Sequence, residues 1–321
     1  MQDDDPPVFV VIGEALIDLA APANGGSAIA RPGGSPMNVA VGLARLGQRT
    51  AFAGRLSADR FGSVLRRHLE ESAVDLRYVV AATEASTIAV VNLAGGQATY
   101  EFSLGADFHW SAGELAFLPG GARAVHFGSL ASWLPPGDAA IAAAVSGLRR
   151  SESVLISYDP NVRPSLQRDP AAARQRVEHS VSLAHVVKAS LADLHWLYGE
   201  HADADAIARD WLDLGSRLVV ITLGADGATG WVPGQSPVSR PEYPAAVVDT
   251  VGAGDAFTSG LLDALARRDL AGPASLAKLA DPVQLAAVID DASCVAGITC
   301  SRPGADPPAR AEVDSRRAAG A

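Results

Sequence analysis

One short stretch of this chain, Asp249-Thr-Val-Gly-Ala-Gly-Asp-Ala-Phe257, combines two glycines with an acid that follows them directly. The apolar run at 245–248 before it is typical of the end of a strand, and apolar residues at helical spacing follow it. Gly252 and Gly254 therefore predict a turn that leads to a helix N-terminus, where free backbone N–H groups bind anions. Asp255 falls in the first turn of that helix.

A carboxylate beside an anion site is suited to proton abstraction. Asp255 can accept a proton from an attacking hydroxyl while the amides of Gly252, Ala253 and Gly254 neutralise charge on a moving phosphoryl group. The simpler alternative is that Asp255 only caps the helix. The stretch is not a P-loop, because no Gly-Lys-Ser/Thr follows, and it lacks the third glycine of a dinucleotide-binding fingerprint.

A second glycine pair, Gly33 and Gly34, precedes a predicted helix that starts near Pro36 and stops at Gly47. Two glycines allow the backbone to approach a hydroxylated ligand closely, and Asn38 offers both a donor and an acceptor from the first turns. By itself a glycine pair before a helix is often only a turn.

Together, the two stretches resemble the signatures of a known family. Residues 249–260 are similar to the carboxy-terminal signature, and residues 33–47 to the amino-terminal signature, of the PfkB (ribokinase-like) sugar kinases. The Gly-Gly-Ser-Pro-Met-Asn-Val-Ala form at 33–40 is most like the fructokinase branch. The resemblance extends from about residue 8 to residue 305.

The elements that must position these residues alternate in type. From residue 123 onward, short apolar runs at 124–127, 154–158, 186–187 and 218–222 are separated by helical patterns, which is typical of βαβ units and a mostly parallel sheet. With the resemblance, this predicts an α/β fold, a ribokinase-like three-layer α/β/α domain. In such sheets ligands bind beyond the carboxyl ends of the strands.

The domain organisation follows the same resemblance. We expect a single kinase domain over residues 1–321, into which a small β-sheet lid is inserted, formed by about 14–32 and 86–110. A lid would keep the phosphoryl donor from reacting with water. Residues 306–321 lack apolar periodicity and are expected to be a flexible tail.

Four polar residues at the ends of predicted strands are candidates for the sugar site. The resemblance implies that Asp18 accepts hydrogen bonds from sugar hydroxyls and that Asp107, in Gly105-Ala-Asp, faces the sugar. Asn161 and Arg163 belong to an Asp-Pro-Asn-Val-Arg segment, and a guanidinium there would bind phosphate or sugar. The alternatives are a solvent-facing Asp18, a loop-tip Asp107 and a surface Arg163 paired with a nearby aspartate.

A nucleotide site is implied on the other side of the catalytic turn. Its candidate residues are Lys188, Ser190, Thr222, Gly224, Gly227, Gly254 and Ser293. The segment Lys188-Ala-Ser-Leu-Ala-Asp193 departs from the family's Lys-x-Asn-x-x-Glu pattern at its last two defined positions, although Asp193 can still hold Mg²⁺ through water. Several family members use a monovalent cation, which would be K⁺ near Asp249.

The charge and composition of the chain limit the kinds of molecule that it is expected to bind. The net charge of −10 argues against a general nucleic-acid or anionic-membrane binder. Cys294 and Cys300, on one predicted helix, would be about 9 Å apart along its axis, too far for a disulfide. The N-terminus is polar, and no apolar run approaches about 18 residues, so we expect a cytoplasmic protein with no membrane span. A homodimer through the lid is a further expectation.

The functional hypothesis is therefore an ATP- and Mg²⁺-dependent kinase that phosphorylates a primary hydroxyl of a small sugar, with fructose as the first choice. Within the same family, a 2-keto-3-deoxygluconate kinase or a ribokinase-type enzyme is the alternative. A non-catalytic sugar or nucleotide sensor on the same fold is the alternative from a different class.

Overall fold

A computed structural model describes residues 8–21, 28–94, 97–116, 121–167 and 169–320. The strands are β1 Phe9–Ile12, β2 Leu16–Ala21, β3 Ile29–Gly33, β4 Thr50–Ala53, β5 Arg55–Ser57, β6 Val80–Ala82, β7 Ile88–Ala94, β8 Gln97–Ser103, β9 Ala124–Gly128, β10 Leu155–Asp159, β11 Val186–Ser190, β12 Leu218–Thr222, β13 Ala228–Trp231 and β14 Val238–Arg240. The helices are α1 Ser35–Arg45, α2 Arg60–Glu71, α3 Asp138–Ser151, α4 Pro170–Leu183, α5 Leu191–Tyr198, α6 Ala204–Asp213, α7 Ala253–Arg267, α8 Pro282–Cys300 and α9 Arg310–Gly320.

The large sheet has the strand order β14-β13-β12-β11-β10-β9-β1-β4. The strands β4, β1, β9, β10, β11 and β12 are parallel to their neighbours in this order. At the other edge β13 runs in the opposite direction and pairs antiparallel with both β12 and β14. Because helices cover both faces of a parallel sheet, its strands can be apolar throughout, as the fully buried β1 shows.

Alternate residues of β1 separate the two faces of the large sheet. Phe9 and Val11 pack in one core cluster with residues of α1, α2, α7 and α8. Val10 and Ile12 pack in the other cluster with residues of α3 to α6. The result is three layers, and it confirms the predicted fold class.

The small sheet has the order β3-β2-β7-β8, in which β2 and β7 are parallel neighbours. It is built from the ranges that the sequence assigned to the lid. The hairpin partners β7 and β8 pair antiparallel as expected, and the turn at 95–96 lies outside the described residues.

Two local predictions differ from the structure. The run at 245–248 forms no strand, and Val247 and Val248 are 63% and 61% exposed. Pro241 and Pro244 lie between β14 and this run and disfavour a continued sheet edge.

The expected flexible tail is the second difference. Residues 310–320 form α9, whose Val313 is buried in a cluster with Leu46 and Cys294. The Arg310 side chain pairs with Asp263 on α7. This helix is held by one buried apolar side chain and by ion pairs. Such contacts leave no repeating pattern of apolar residues in the sequence, and the prediction of a flexible tail depended on the absence of that pattern.

Helix α8 is long and apolar enough to span a membrane by length and composition. In the structure, 61% of its most apolar window is buried inside the protein. It packs against α7 in the core, which accounts for its apolar composition without a membrane.

A buried histidine at the amino end of β11 predicts a pH-dependent stability. The backbone N–H of Ile156 donates to Nδ1 of His185 at 3.0 Å, so the ring must be neutral at that nitrogen. Burial and the Arg149 guanidinium lower the His185 pKa to about 4 from the usual 6.5, although Glu152 opposes them. The unfolded chain therefore binds more protons than the folded protein as the pH falls from 6.5 toward 4.

We expect the wild-type free energy of unfolding to fall in that window by up to about 1.4 kcal/mol per pH unit from this group. In His185→Gln the fall should be smaller by that amount. Urea unfolding at about pH 7.5 and about pH 5 measures the difference. The exposed His201 provides the matched control, and an equal pH dependence in His185→Gln and His201→Gln would contradict the prediction.

Candidate active site

The catalytic turn expected at 252–255 is present at the N-terminus of α7. Gly252 adopts a left-handed conformation with φ of 76°, and a Cβ there would lie 2.5 Å from the Cβ of Ala305. Only glycine satisfies both conditions. The turn places Asp255 in the first turn of α7, as the sequence predicted.

Two side chains of α1 hold the Asp255 carboxylate. Ser35 donates to Oδ1 at 2.6 Å and Asn38 donates to Oδ2 at 2.8 Å. Burial raises the Asp255 pKa, and these two hydrogen bonds oppose the rise by favouring the charged form. The alternative in which Asp255 merely caps a helix leaves these two donors from a distant segment unexplained.

A polar cavity of about 290 Å³ lies in front of this carboxylate. Eight residues predicted for catalysis or sugar binding line it: Asp18, Gly34, Asn38, Asn161, Arg163, Gly252, Gly254 and Asp255. Residues Ala89 and Phe102 of the small sheet complete its wall. The cavity therefore lies between the small sheet and the carboxyl ends of the large-sheet strands.

Asp18 is placed by the glycine pair. A Cβ at Gly33 would lie 2.1 Å from Oδ2 of Asp18, so the absent side chain makes room for the carboxylate. Burial raises the Asp18 pKa to about 6; Arg163 opposes this rise and Asp255 adds to it. Burial also raises the pKa of Glu14, so three carboxylates with raised pKa values, Glu14, Asp18 and Asp255, line the polar cavity together with the Arg163 guanidinium.

The segment after β10 brings Asn161 and Arg163 to the same cavity. Asn161 donates to the Ser129 hydroxyl at 3.1 Å and accepts from Arg163 Nη1 at 2.7 Å. Asn161 has φ of 39°, a conformation that few non-glycine residues adopt. The side chain of Asp107, in a 3₁₀ turn at Ala106–Phe108, lies outside the described residues.

Two polar residues of the site were missed by the sequence analysis. Ser35 lies between residues that were singled out, but a serine after two glycines has no specific signature. Glu14 is fully buried, and its carboxylate accepts from the backbone N–H groups of Leu130 and Ala131 at 3.3 and 3.0 Å. An acid between two apolar runs was the available signal for Glu14.

An apolar cavity of about 340 Å³ lies on the other side of the catalytic turn. Five residues predicted for nucleotide binding line it: Thr222, Gly224, Gly227, Gly254 and Ser293. The small Ala296 and Gly297 of α8 and the exposed Val247 add to its wall. Thr250 and Gly254 line both cavities, so the two cavities meet at the glycine turn.

Three other predicted residues, Lys188, Ser190 and Asp193, do not line either cavity. Lys188 is buried and pairs with Asp159, with 3.0 Å between Nζ and Oδ2. Ser190 caps α5. Both oxygens of Asp193 are occupied by protein donors, the backbone N–H of Val162 and both donors of Ser190. This geometry does not favour Asp193 as a metal ligand.

Asp249 bridges two loops beside the glycine turn. Its carboxylate accepts from the backbone N–H of Val251 at 3.0 Å and of Gly304 at 2.8 Å. It thereby fixes the loop before α7 to the loop after α8. Within the described ranges, no three His, Cys, Asp or Glu side chains converge as a metal site.

Residues 8–312 match the pfkB family of carbohydrate kinases. The chain belongs to this family. Among curated pfkB-type relatives, a fructokinase of Rhizobium leguminosarum bv. trifolii is 37% identical over 277 residues, covering 85% of this chain and 84% of the relative. A fructokinase of Klebsiella pneumoniae is 35% identical over 281 residues, covering 86% and 89%.

Solved structures of fructokinases share the fold of this chain. The fructokinase of Xylella fastidiosa with bound ATP superposes with a TM-score of 0.86 at 28% identity, covering 97% of this chain and 98% of that one. A double mutant of the Vibrio cholerae O395 fructokinase, with fructose, ADP and potassium ion bound, gives 0.82 at 28% identity, covering 97% and 99%.

The close approach of Gly33 to Asp18 predicts a specific defect in acceptor binding. In Gly33→Ala the new methyl group would displace the Asp18 carboxylate, and we expect the KM for the sugar acceptor to rise about 10-fold to 100-fold. The KM for the nucleotide should remain near the wild-type value. Steady-state kinetics with each substrate varied in turn measures both constants.

The matched control is Gly113→Ala, because a Cβ at Gly113 meets nothing within 4 Å. An unchanged sugar KM in Gly33→Ala, or an equal change in both variants, would show that Asp18 does not bind the acceptor.

Proposed function

We propose that this protein is an ATP-dependent fructokinase that transfers the γ-phosphoryl group of ATP to a primary hydroxyl of fructose. The observation that carries the proposal is the Asp255 carboxylate, oriented by Ser35 and Asn38 at the glycine turn where the polar and apolar cavities meet. The names of the pfkB relatives support fructose over other small sugars.

The geometry supports a direct transfer. A sugar in the polar cavity would present a hydroxyl to Asp255, which accepts its proton during attack. The donor phosphates would extend from the apolar cavity to the turn, where the amides of 252–255 stabilise the developing charge. Arg163, on the wall of the polar cavity, would bind the transferred group or the sugar through its planar guanidinium.

Two cations are part of the proposal. Mg²⁺, bound mainly to the donor phosphates and water, would neutralise phosphate charge, because the described residues offer few carboxylates for it. A K⁺ ion near Asp249 is consistent with the potassium in the Vibrio cholerae structure. Its effect on this protein would be to stabilise the two loops that Asp249 joins.

The remaining proposals concern the small sheet and its surroundings. We infer that this sheet is the lid, because Leu16, Ala89 and Phe102 from it line the polar cavity. Closure over bound sugar would exclude water from the phosphoryl donor. A homodimer through the lid and a cytoplasmic location remain proposals from the sequence.

The first test is ADP release by the purified protein with ATP and Mg²⁺. The acceptors are fructose, ribose, glucose, 2-keto-3-deoxygluconate and adenosine. We expect the highest kcat/KM with fructose. Because Asp255 accepts the hydroxyl proton, Asp255→Asn should lower kcat by a factor of about 10² to 10⁴, with a smaller effect on substrate binding.

Three other results would each reject a different part of the proposal. A higher kcat/KM with another acceptor would keep the kinase and reject fructose. An Asp255→Asn variant with wild-type kcat would reject the proposed base. No turnover with any acceptor, combined with tight binding of sugar or nucleotide by calorimetry, would favour a sensor.

The apolar cavity supplies a separate prediction about the nucleotide. Ala296 is a small residue of α8 on the cavity wall, and a phenyl ring at this position would fill space that the nucleobase requires. In Ala296→Phe we expect the KM for ATP to rise about 10-fold or more while fructose binding is retained. Isothermal calorimetry with each ligand separates these effects.

The conservative variant Ala296→Ser serves as the control, because its side chain is only slightly larger. Equal loss of ATP and fructose binding in Ala296→Phe would indicate general misfolding or a different location for the nucleotide.

A further inference from the structure

A buried ion pair lies directly beneath the catalytic turn. Lys188 in the middle of β11 is 4% exposed and Asp159 at the end of β10 is 2% exposed. Their Nζ and Oδ2 atoms are 3.0 Å apart. The Thr258 hydroxyl of α7 lies 3.3 Å from the same Oδ2 and 3.1 Å from the Gly254 carbonyl oxygen, so the pair is connected to the first turn of α7.

Lys188 touches the turn from below. The Nζ atom lies 2.9 Å from the position that a Cβ of Gly254 would occupy. Because Gly254 has no side chain, the Lys188 ammonium group can lie close to the turn. Lys188 does not line either cavity, so its charge reaches bound ligands only through the turn.

The choice of lysine is unusual for this chain. Lys188 and Lys278 are the only two lysines among 26 basic residues, and all the others are arginine. A compact ammonium group fits in the space that a side chain at position 254 would otherwise restrict, whereas a planar guanidinium would require more space. The position therefore favours a small, fixed positive charge.

A buried cation beneath a helix N-terminus is unfavourable for folding by itself, because the helix dipole already places positive charge there. Burial alone would lower the Lys188 pKa, but Asp159 and Asp193 raise it above its usual value. The ammonium group is therefore retained in its charged form at a location where stability alone would disfavour it.

We propose that Lys188 and Asp159 are positioning residues that set, from beneath the turn, the charge state of Asp255 and the positive potential of the amides at 252–255. In this role Lys188 does not contact the nucleotide. The inference deepens the proposed kinase function and depends on Asp255 as its base.

The groups around Asp255 determine the expected direction of change. Ser35 and Asn38 of α1 are neutral. Three titratable or charged groups face the same cavity: Glu14 after β1, Asp18 of β2 and Arg163 after β10. Asp159 raises the Asp255 pKa and Lys188 lowers it. Removing one member of the pair should therefore shift this pKa in the opposite direction from removing the other.

The test compares Lys188→Met, Asp159→Asn and the double variant. The Asp255 pKa is measured by ¹³C NMR titration of the carboxyl carbon, with Asp255→Asn to assign the resonance. We expect Lys188→Met to raise the pKa and Asp159→Asn to lower it, each by about 1 pH unit. The double variant should fall between them. The exposed Lys278→Met is the matched control and should leave the pKa unchanged.

Kinetics provides the second readout. The acid limb of the pH profile of kcat/KM for fructose should shift in the same directions as the NMR titration. The side chain at position 18 does not titrate in the Asp18→Asn variant, so repeating the pH profiles of all variants with this substitution added removes the contribution of Asp18 from the acid limb. If Lys188→Met does not fold because Asp159 is left unpaired, Asp159→Asn and the double variant still give the predicted downward and intermediate values.

Shifts of the same sign in both single variants, or none in either, would overturn the inference and leave the pair a structural support. The NMR titration does not require turnover. A protein without kinase activity but with opposite pKa shifts would therefore reject the proposed function while supporting the charge-setting role of the pair.

Discussion

The site depends on the packing of α1 against α7. Gly42 of α1 lets the two helices approach so closely that a Cβ there would lie 2.4 Å from the Ser259 hydroxyl. This contact brings Ser35 and Asn38 to Asp255, more than two hundred residues away along the chain. The two glycine turns, the orientation of the carboxylate and the shape of the polar cavity all require these helices to stay in register.

The parallel sheet provides the second constraint. Its strands end at one edge, so polar residues that are distant in sequence converge there. The strand ends also form two levels. An upper level faces the cavities and includes Asn161 and Thr222, and a lower level includes Lys188, Asp159 and Asp193 and supports the turn from within the protein. The lower level is charged but does not line either cavity.

These two levels explain what the sequence could and could not predict. Glycine turns next to helix starts have few structural interpretations, so the positions of Asp255, Gly33 and Gly34 followed from local pattern. A polar residue at the end of a strand can face the ligand or the interior, and spacing does not distinguish these cases. Lys188 was therefore assigned to the nucleotide site, although the structure pairs it with the buried Asp159. Ser190 lies level with Thr222 in the sheet but caps α5 and does not line the cavity.

The two cavities have a wall in common at Thr250 and Gly254, and this arrangement has a stereochemical consequence. Donor and acceptor bound there together would form a ternary complex, in which the phosphoryl group passes between them in one in-line displacement. No phosphorylated enzyme would form. A chiral phosphorus atom in the donor would then leave with inverted configuration, and initial-rate plots for the two substrates would intersect instead of running parallel.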